Sequence, residues 1–206
     1  MNIKLFLFRE QLSVICRYYS RLRFALLDLF VAFCTLFFNP YRVCRKFLER
    51  RGESNIYAYG ETPITAFAHI AQAANLSSQD HYIELGSGRG KTCYWAALWT
   101  GCRVTGIEWI PFFVRFSRLV AALFRLNADF KRQSIAEADL SGATVVYLYL
   151  FDIPEALSER LLQMPEKSRL ITISEPFDSS AFECTQIIPL HFPWGSSEAY
   201  LHRRKK

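Results

Sequence analysis

The sequence predicts an α/β fold with a mostly parallel sheet and helices on both faces. A short apolar run, Tyr82–Leu85, is typical of a buried strand, and a glycine-rich turn follows it. Residues 91–99 then form a predicted helix that Gly101 ends. A second strand runs over residues 103–107 and leads into Glu108. Alternation of strand and helix in this way is characteristic of parallel α/β sheets.

The turn between the first strand and the helix has the composition of a ligand-binding loop. Glycines without Cβ let the backbone approach a ligand closely, and the helix N-terminus that follows favours an anionic group. Glu108 lies at the tip of the neighbouring strand, where a carboxylate accepts hydrogen bonds from both hydroxyls of a ribose. The predicted cofactor-binding residues of this unit are Gly86, Ser87, Gly88, Gly90 and Glu108. We therefore expect an adenosine-containing cofactor beyond the strand ends.

The kind of cofactor is indicated by Glu84, two residues before the first glycine. Its carboxylate would repel a pyrophosphate but suits a cationic ligand, and the spacing G-x-G-x-G differs from the dinucleotide pattern. The run ELGSGRG followed by GIE resembles the nucleotide-binding core of class I S-adenosylmethionine-dependent methyltransferases. The resemblance implies a Rossmann-like seven-stranded sheet with a C-terminal antiparallel hairpin. It also implies that Glu84 helps to orient the amino group of the methionine part.

A second motif precedes the glycine turn. Residues 59–62 read Tyr-Gly-Glu-Thr, which resembles the loop of non-SET histone-lysine methyltransferases, and the plan of the chain resembles small membrane-tethered protein-lysine methyltransferases. By matching position, the resemblance implies that Tyr59, Glu61 and Thr62 contact the cofactor. It covers roughly residues 55–155. The alternative interpretation is a simple loop in which Thr62 caps the following helix at Pro63.

A third strand is expected at residues 129–132, with the adenine contacts directly after it. In the resembled family an acid and an apolar residue at this place hold the adenine ring, which implies that Ser134 and Ile135 occupy those positions. Ser134 departs from the usual acid, and Glu137 or Asp139 is an alternative partner for the adenine.

The acceptor side is expected after the fourth strand, which residues 144–150 predict through β-branched and aromatic content. The residues after this strand border the methyl group in the resembled family, which implies roles for Tyr149, Phe151 and Asp152. Aromatic faces hold an amine by cation–π attraction, and Asp152 is suited to accept a proton or to orient the amine. The Asn/Asp-Pro-Pro-aromatic motif of many amino-group methyltransferases is missing, and an ordinary strand-end turn is the alternative.

Further elements complete the predicted sheet and its helices. We expect helices over residues 63–75, 111–127 and 155–163, a strand over 169–174, and closing strands near 184–190 and 198–202. The helix over 111–127 is predicted to face the core with a stripe of apolar side chains, namely Phe112, Phe116, Leu119, Val120 and Leu123.

Charge and hydropathy divide the chain into an N-terminal segment, residues 1–51, and a methyltransferase domain, residues 52–206. The first holds ten Lys/Arg and three Asp/Glu, a net charge of +7, whereas residues 52–202 hold eleven basic and sixteen acidic side chains, a net of −5. An acidic domain argues against a nucleic-acid substrate gripped by a broad basic face. The four residues at the C-terminus are all basic.

The N-terminal segment contains the apolar run Phe24–Phe38, flanked by arginines on both sides. As a helix it spans about 22 Å, less than the bilayer hydrocarbon thickness of about 30 Å. It is suited to cross a thinned bilayer, to lie at the interface, or to dock on the domain. We favour membrane association through residues 1–51, with the domain on the cytoplasmic or equivalent interior side, where the cofactor occurs.

The predicted function is therefore S-adenosylmethionine-dependent methyl transfer, with a protein lysine as the preferred acceptor. Alternatives are a small-molecule or RNA acceptor, a nucleotide-dependent oxidoreductase, which Glu84 disfavours, and a cofactor-binding protein without catalysis. The six cysteines show no CxxC spacing, so no metal site is predicted and a reducing compartment is indicated. No pattern indicates an oligomeric state.

Overall fold

A computed structural model describes residues 2–150 and 153–205. Its centre is one seven-stranded sheet in the order β3-β2-β1-β4-β5-β7-β6. The strands are β1 (His81–Leu85), β2 (Arg103–Glu108), β3 (Ala128–Arg132), β4 (Val145–Leu148), β5 (Arg169–Ile173), β6 (Phe182–Phe192) and β7 (Gly195–Arg204). Strands β1 to β5 are parallel, and β7 is antiparallel to both β5 and β6. The predicted fold class, with its C-terminal antiparallel hairpin, is confirmed.

Seven α-helices occur in the described part of the chain. They are α1 (Ile3–Tyr18), α2 (Leu22–Cys34), α3 (Pro40–Arg51), α4 (Ile64–Ala73), α5 (Lys91–Trp99), α6 (Pro111–Leu123) and α7 (Glu155–Leu161). A short 3₁₀ helix, Ile135–Glu137, follows β3. The sequence analysis did not predict α1 or α3.

Alternate residues of the central strands build the two layers of the core. On one face Tyr82 and Tyr147 pack with Phe67 of α4 and with α5. On the other face Ile83 and Val146 pack with the apolar side of α7. Burial on both faces is the rule for parallel sheets, because helices cover each side.

Helix α6 corrects two sequence-based predictions. It ends at Leu123 rather than at residue 127, because Arg125 adopts a left-handed conformation with φ of 48°. The predicted stripe was wrong at three of its five positions, since Phe112, Leu119 and Leu123 are exposed. The helix is turned instead so that its buried residues are Phe113, Val114, Ser117, Val120 and Ala121. Phe113, which is fully buried, packs beneath α3, a partner that the sequence analysis did not foresee.

The C-terminal hairpin is longer than predicted. Strand β5 ends at Ile173, which pairs with Ala199, whereas β7 begins at Gly195, four positions earlier. The end of the hairpin therefore projects about 13 Å beyond the last residue of β5. We call residues 192–195 the hairpin tip. It lies at the same edge of the sheet as the carboxyl ends of the parallel strands.

The N-terminal helices pack on the sheet domain through one face. Tyr18 of α1 and Phe24 of α2 are buried with Trp95 of α5 in the same apolar cluster. No helix in the described residues has the length and apolar character needed to cross a membrane. The expected apolar helix over residues 24–38 is shorter, since α2 ends at Cys34. The division at residue 51 stays a prediction, although buried contacts cross it.

Candidate active site

The glycine turn after β1 adopts a conformation that needs its glycines. Gly86 and Gly88 have φ angles of 79° and 53°, values that side chains other than glycine rarely adopt. The N–H groups of Gly86 and Ser87 donate to the Ile107 carbonyl, at 2.9 and 3.0 Å. A Cβ built on Gly86 would meet no atom within 4 Å, so the backbone of the turn is open to a ligand there.

Glu108, at the end of β2, is fixed by the backbone around it. Its Oε2 accepts a 2.8 Å hydrogen bond from the Gly88 N–H, and its Oε1 accepts a 2.7 Å bond from the Ile110 N–H. Burial raises the pKa of this carboxyl, and the backbone donors oppose that rise. Each oxygen has a further lone pair, so the carboxylate is able to accept from a bound diol as well.

Glu84 lies in the core between β1 and α5. Its Oε2 accepts hydrogen bonds from the hydroxyls of Tyr82 (3.1 Å) and Thr92 (2.5 Å) and from the thiol of Cys93 (3.1 Å). Among the described residues none donates a hydrogen bond to the other oxygen, Oε1. Burial raises the pKa of Glu84 to about 7. The side chain thus has one oxygen held by the protein and one available to a ligand.

Glu61 is held by an arginine that the sequence analysis did not single out. Arg89, from within the glycine turn, donates from Nε and from a terminal nitrogen to the two Glu61 oxygens, at 2.6 and 2.7 Å. The Tyr59 hydroxyl donates to the same carboxylate at 2.6 Å, and Lys91 Nζ lies 3.7 Å away. Burial opposes ionisation of Glu61, but the charges of Lys91 and Arg89 outweigh it and lower the pKa to about 2.

Thr62 contacts the sheet rather than capping a helix. Its hydroxyl and that of Tyr147 on β4 share a 2.5 Å hydrogen bond. Pro63 is the N-cap of α4, and the carboxylate of Glu10, not the Thr62 hydroxyl, accepts a 3.0 Å hydrogen bond from the Thr65 N–H in the first turn of that helix. The capping role considered for Thr62 was therefore wrong, because its hydroxyl is bonded to Tyr147. Arg89 and Tyr147 thus hold the last two residues of the loop 59–62, Glu61 and Thr62.

Helix α3 lies against the same loop. The Tyr41 ring is 5.1 Å from the Tyr59 ring, and the Arg51 guanidinium lies 4.2 Å from the centre of the Trp109 ring. Cys44 and Leu48 are buried between these contacts. Positions 41, 44, 48 and 51 share one face of a helix, a spacing that would have indicated a packed helix in the sequence.

The residues after β3 lie beside the end of β2, since the Gln133 N–H donates to the Glu108 carbonyl at 3.1 Å. Ser134 caps the 3₁₀ helix through a 3.3 Å bond from the Ala136 N–H, and Ile135 packs against the core. The alternative acid Asp139 is exposed and accepts hydrogen bonds from Ser141. The adenine contacts of Ser134 and Ile135 stay a prediction.

Comparison with known proteins gives one family match and several structural likenesses. The family model described as "Histone methylation protein DOT1" matches residues 47–130, which include the loop, the glycine turn and both acids. An RNA methyltransferase from Salinibacter ruber, solved with S-adenosyl-L-homocysteine, superposes with a TM-score of 0.62 at 26% identity, over 71% of this chain and 95% of that chain.

The chain is a class I S-adenosylmethionine-dependent methyltransferase.

More distant structures share the fold. A tRNA uracil methyltransferase from Pyrococcus abyssi, also with S-adenosyl-L-homocysteine, superposes with a TM-score of 0.56 at 17% identity, over 72% of this methyltransferase and 41% of that chain. TrmN from Thermus thermophilus gives 0.59 at 10% identity, over 70% and 50% of the two chains. A sequence comparison with curated proteins gives no match.

The residues predicted to border the acceptor lie outside the family match, which ends at residue 130. Tyr149 directly follows β4, and a Cβ on Gly60 would lie 3.5 Å from its ring. On its other side the Tyr149 ring is 5.5 Å from Phe192 at the hairpin tip. Burial raises the pKa of Tyr149 to about 12. Phe151 and Asp152, the other predicted catalytic residues, lie outside the described residues.

No group of three or more metal-ligating side chains with a suitable arrangement occurs in the described ranges 2–150 and 153–205. All six cysteines are free thiols. The residues gathered at the carboxyl ends of the strands are therefore two buried acids, a glycine turn and a set of aromatic rings.

Proposed function

We propose that this methyltransferase transfers a methyl group to a lysine side chain of a protein. The observation that carries the proposal is the nearness of Tyr149 to Gly60: a Cβ on Gly60 would lie 3.5 Å from the Tyr149 ring, so the predicted acceptor residue lies beside the loop that resembles that of histone-lysine methyltransferases. The acidic charge of residues 52–202, −5, favours a cationic acceptor over a nucleic acid. The description of the matching family, histone methylation, supports the same acceptor.

The proposed cofactor placement follows from the acids and the turn. Glu108 accepts from the ribose hydroxyls, and Glu84 offers its Oε1 to the ammonium group of the methionine part. The backbone of residues 86–90, with Ser87 contributing its main chain, lies against the cofactor. Tyr59, Glu61 and Thr62 close one side, and Ser134 with Ile135 borders the adenine. The open backbone at Gly86 and the unpaired Glu84 oxygen fit such a ligand.

When bound, S-adenosylmethionine supplies a methyl group on a cationic sulfur. The protein must then present a neutral amine in line with that methyl group, which is chiefly a matter of positioning. Aromatic walls around Tyr149 remove water from the amine and so lower its pKa, because desolvation disfavours the charged form. In the proposal Phe151 extends this wall, and Asp152 takes or orients the amine proton.

RNA is the second candidate acceptor. The observation in its favour is the RNA methyltransferase of Salinibacter ruber, at 26% identity over 71% of this chain. The test is transfer of labelled methyl groups into a lysate, followed by separate digestion with protease and ribonuclease. We expect label that protease releases and ribonuclease does not. Label released only by ribonuclease would replace the lysine proposal by an RNA one.

We also propose that residues 1–51 hold the enzyme on an anionic membrane surface, with the domain on the cytoplasmic or equivalent interior side. Helices α1 and α2 and the turn after α2 leave large apolar side chains exposed, among them Ile3, Leu7, Phe8, Leu12, Leu22, Leu26, Leu29, Phe33, Leu36 and Phe37. We call these residues the anchor surface. The segment that carries them has a net charge of +7. Apolar burial and attraction to anionic lipid together give stable interfacial binding.

The membrane proposal is tested by sedimentation of the full chain with vesicles. We expect binding to vesicles of phosphatidylserine and phosphatidylcholine at low salt, and weaker binding to phosphatidylcholine alone. The variant Leu26→Ser/Phe33→Ser, which changes only exposed positions, should stay in the supernatant. The control is Leu162→Ser, which also changes an exposed apolar residue but lies directly after α7, outside residues 1–51. Full-length protein that stays in the supernatant in every mixture would contradict the proposal.

A further inference from the structure

The hairpin tip bends over the acceptor side of the enzyme. It projects beyond β5, yet Phe192 at the end of β6 reaches the Tyr149 ring, which follows β4, although β5 and β7 lie between these two strands in the sheet. If the hairpin continued straight in the plane of the sheet, Phe192 would lie too far from β4 to contact the Tyr149 ring. The tip therefore covers the sheet edge where the methyl group is expected.

The outermost residue of the tip is Trp194. Its ring stacks on Phe192 at 4.9 Å with an interplanar angle of 18°, while 54% of its surface stays exposed. Its indole N–H lies near enough to the Tyr149 hydroxyl to lower the pKa of that phenol, although burial, the larger effect, raises it to about 12. A large aromatic ring is thus held in place by a buried neighbour and keeps one side open to solvent.

The charge of the hairpin is negative except at the end away from its tip. Residues 170–202 contain four acidic residues and no lysine or arginine, and the basic residues Arg203 and Arg204 lie at the far end of β7, paired with Glu183 and Phe182. The acidic residues are Glu175, Asp178, Glu183 and Glu198. An exposed ring in such surroundings favours a cation, whereas phosphate groups of a nucleic acid would be repelled.

We propose that Trp194 is the specificity-determining residue for the acceptor, and that its open face binds the amine-bearing side chain as it enters toward Tyr149. The inference rests on the proposed function, since it concerns the amine acceptor of that reaction. A ring that binds ammonium also binds its methylated forms, because cation–π attraction needs no N–H donor. Trp194 is thus suited to bind a mono- or dimethylated amine for a further round of methyl transfer.

A binding test needs no turnover and no knowledge of the natural acceptor. Tetramethylammonium is titrated into the cofactor-bound enzyme, and tryptophan fluorescence is recorded. The neutral control of similar shape is tert-butanol. We expect saturable quenching by the cation only, and its loss in Trp194→Ala. His191→Ala, an exposed position near the end of β6 in the same hairpin, should behave as the wild type.

A kinetic test measures the effect of substituting Trp194 on the acceptor KM, with poly-L-lysine as the acceptor. Trp194→Ala should raise the acceptor KM about tenfold, the range of a partly desolvated cation–π contact, while the affinity for S-adenosylmethionine changes less than about twofold. Trp194→Phe should restore most of the loss. A merely structural role would alter cofactor affinity or thermal stability as well.

The outcomes separate this inference from the proposed function. If the wild-type enzyme methylates poly-L-lysine and Trp194→Ala leaves both KM and cation binding unchanged, the role of Trp194 is refuted and the lysine acceptor stands. If the wild-type enzyme binds tetramethylammonium through Trp194 but does not label poly-L-lysine, the amine site stands and the protein acceptor falls. Fluorescence quenching by uridine oligonucleotides, rather than by the cation, would refute the amine site.

Discussion

At the carboxyl ends of the parallel strands, the region proposed to bind the cofactor and the region proposed to bind the acceptor differ in structure. The proposed cofactor edge, made by Glu84, Glu108 and residues 86–90, is buried and charged, with Glu108 held by backbone N–H groups and Glu84 by side-chain donors. The proposed acceptor edge, made by Tyr149, Phe192 and Trp194, consists of neighbouring aromatic rings, of which that of Trp194 is exposed. The first arrangement suits a single ligand in a single pose, whereas the second suits a cation on an aromatic surface. We therefore expect single substitutions or a change of pH to alter cofactor affinity strongly, and substitutions of the aromatic residues to alter acceptor binding and turnover less.

The largest expected effect is at Glu108. The change Glu108→Ala removes a charge-assisted contact to the ribose, which costs on the order of 1.5–3 kcal/mol, or about ten- to a hundredfold in affinity. It also leaves the N–H groups of Gly88 and Ile110 without their acceptor. Titration calorimetry with S-adenosylmethionine measures the loss. Unchanged affinity would remove Glu108 from the ribose site.

The next effect is the pH dependence of cofactor binding, which sharpens the contrast because Glu84, on the proposed cofactor edge, has a pKa of about 7. With a pKa of about 7, Glu84 is mostly protonated at pH 6 in the free enzyme and loses its attraction for the ammonium group. Affinity at pH 6 should be about tenfold weaker than at pH 8. Calorimetry across this range, with Glu84→Gln as a pH-independent control, provides the test.

The same carboxyl has a consequence for stability with a definite sign. Burial raises the folded-state pKa from the ordinary 4.5 to about 7, so the folded enzyme binds more protons than the unfolded chain between these values. The free energy of unfolding of the free enzyme should therefore fall as pH rises through this range. Glu84→Gln should remove this dependence and raise the melting temperature above pH 7. A variant that melts lower than the wild type at pH 8 would contradict the burial argument.

A smaller effect is expected at Tyr149, on the acceptor edge. Tyr149→Ala removes one aromatic wall and should lower turnover about fivefold, since a contact of this kind contributes about 1 kcal/mol. Cofactor affinity should stay within a few-fold, because Tyr149 is assigned to the acceptor and not to the cofactor. Tyr149→Phe keeps the wall and should be nearly wild type. A cofactor affinity that falls as far as turnover would place Tyr149 on the cofactor edge instead. Phe151→Ala and Asp152→Ala are expected to follow Tyr149→Ala.

The smallest effect is expected at Gly60, which lies between the predicted cofactor contacts Tyr59 and Glu61 and is near the predicted acceptor residue Tyr149. A Cβ there lies 3.5 Å from the Tyr149 ring, an ordinary van der Waals distance. Gly60→Ala should change turnover and cofactor affinity by about twofold at most, the range of an unstrained substitution. The contrasting variant is Gly106→Ala, whose Cβ would lie 2.5 Å from the Phe130 ring and should lower the melting temperature markedly. Thermal scans and steady-state kinetics on both variants complete the series.

Local signals account for what the sequence predicted well. The unit β1–turn–α5–β2 follows from adjacent residues, so Glu84 and Glu108 were assigned to the ends of the correct strands. The face of α6 was assigned wrongly because it depends on α3, a helix whose apolar face is interrupted by arginines. Tertiary contacts decide such faces, and helical spacing alone does not.

The residues that the sequence analysis missed act across long separations. Arg89 meets Glu61 over 28 positions, and Tyr147 meets Thr62 over 85. The proposed role of Trp194 depends on the bend of the hairpin that brings Phe192 to Tyr149, which the sequence does not reveal. A pattern within a short window contains no information about such pairs, whereas the glycine turn and its acids are complete within 25 residues of sequence, from Glu84 to Glu108.

The packing of the first two helices has a consequence for synthesis of the chain. Tyr18 and Phe24 leave the ribosome early, but the rings that they pack against, Trp95 and Trp99, follow more than 70 residues later. Until then both faces of α1 and α2 are exposed, the anchor surface and the face that the folded domain covers. Chains in this condition aggregate or find another apolar surface. A nascent chain should thus be most attracted to lipid before its domain exists, and folding should reduce that attraction rather than create it.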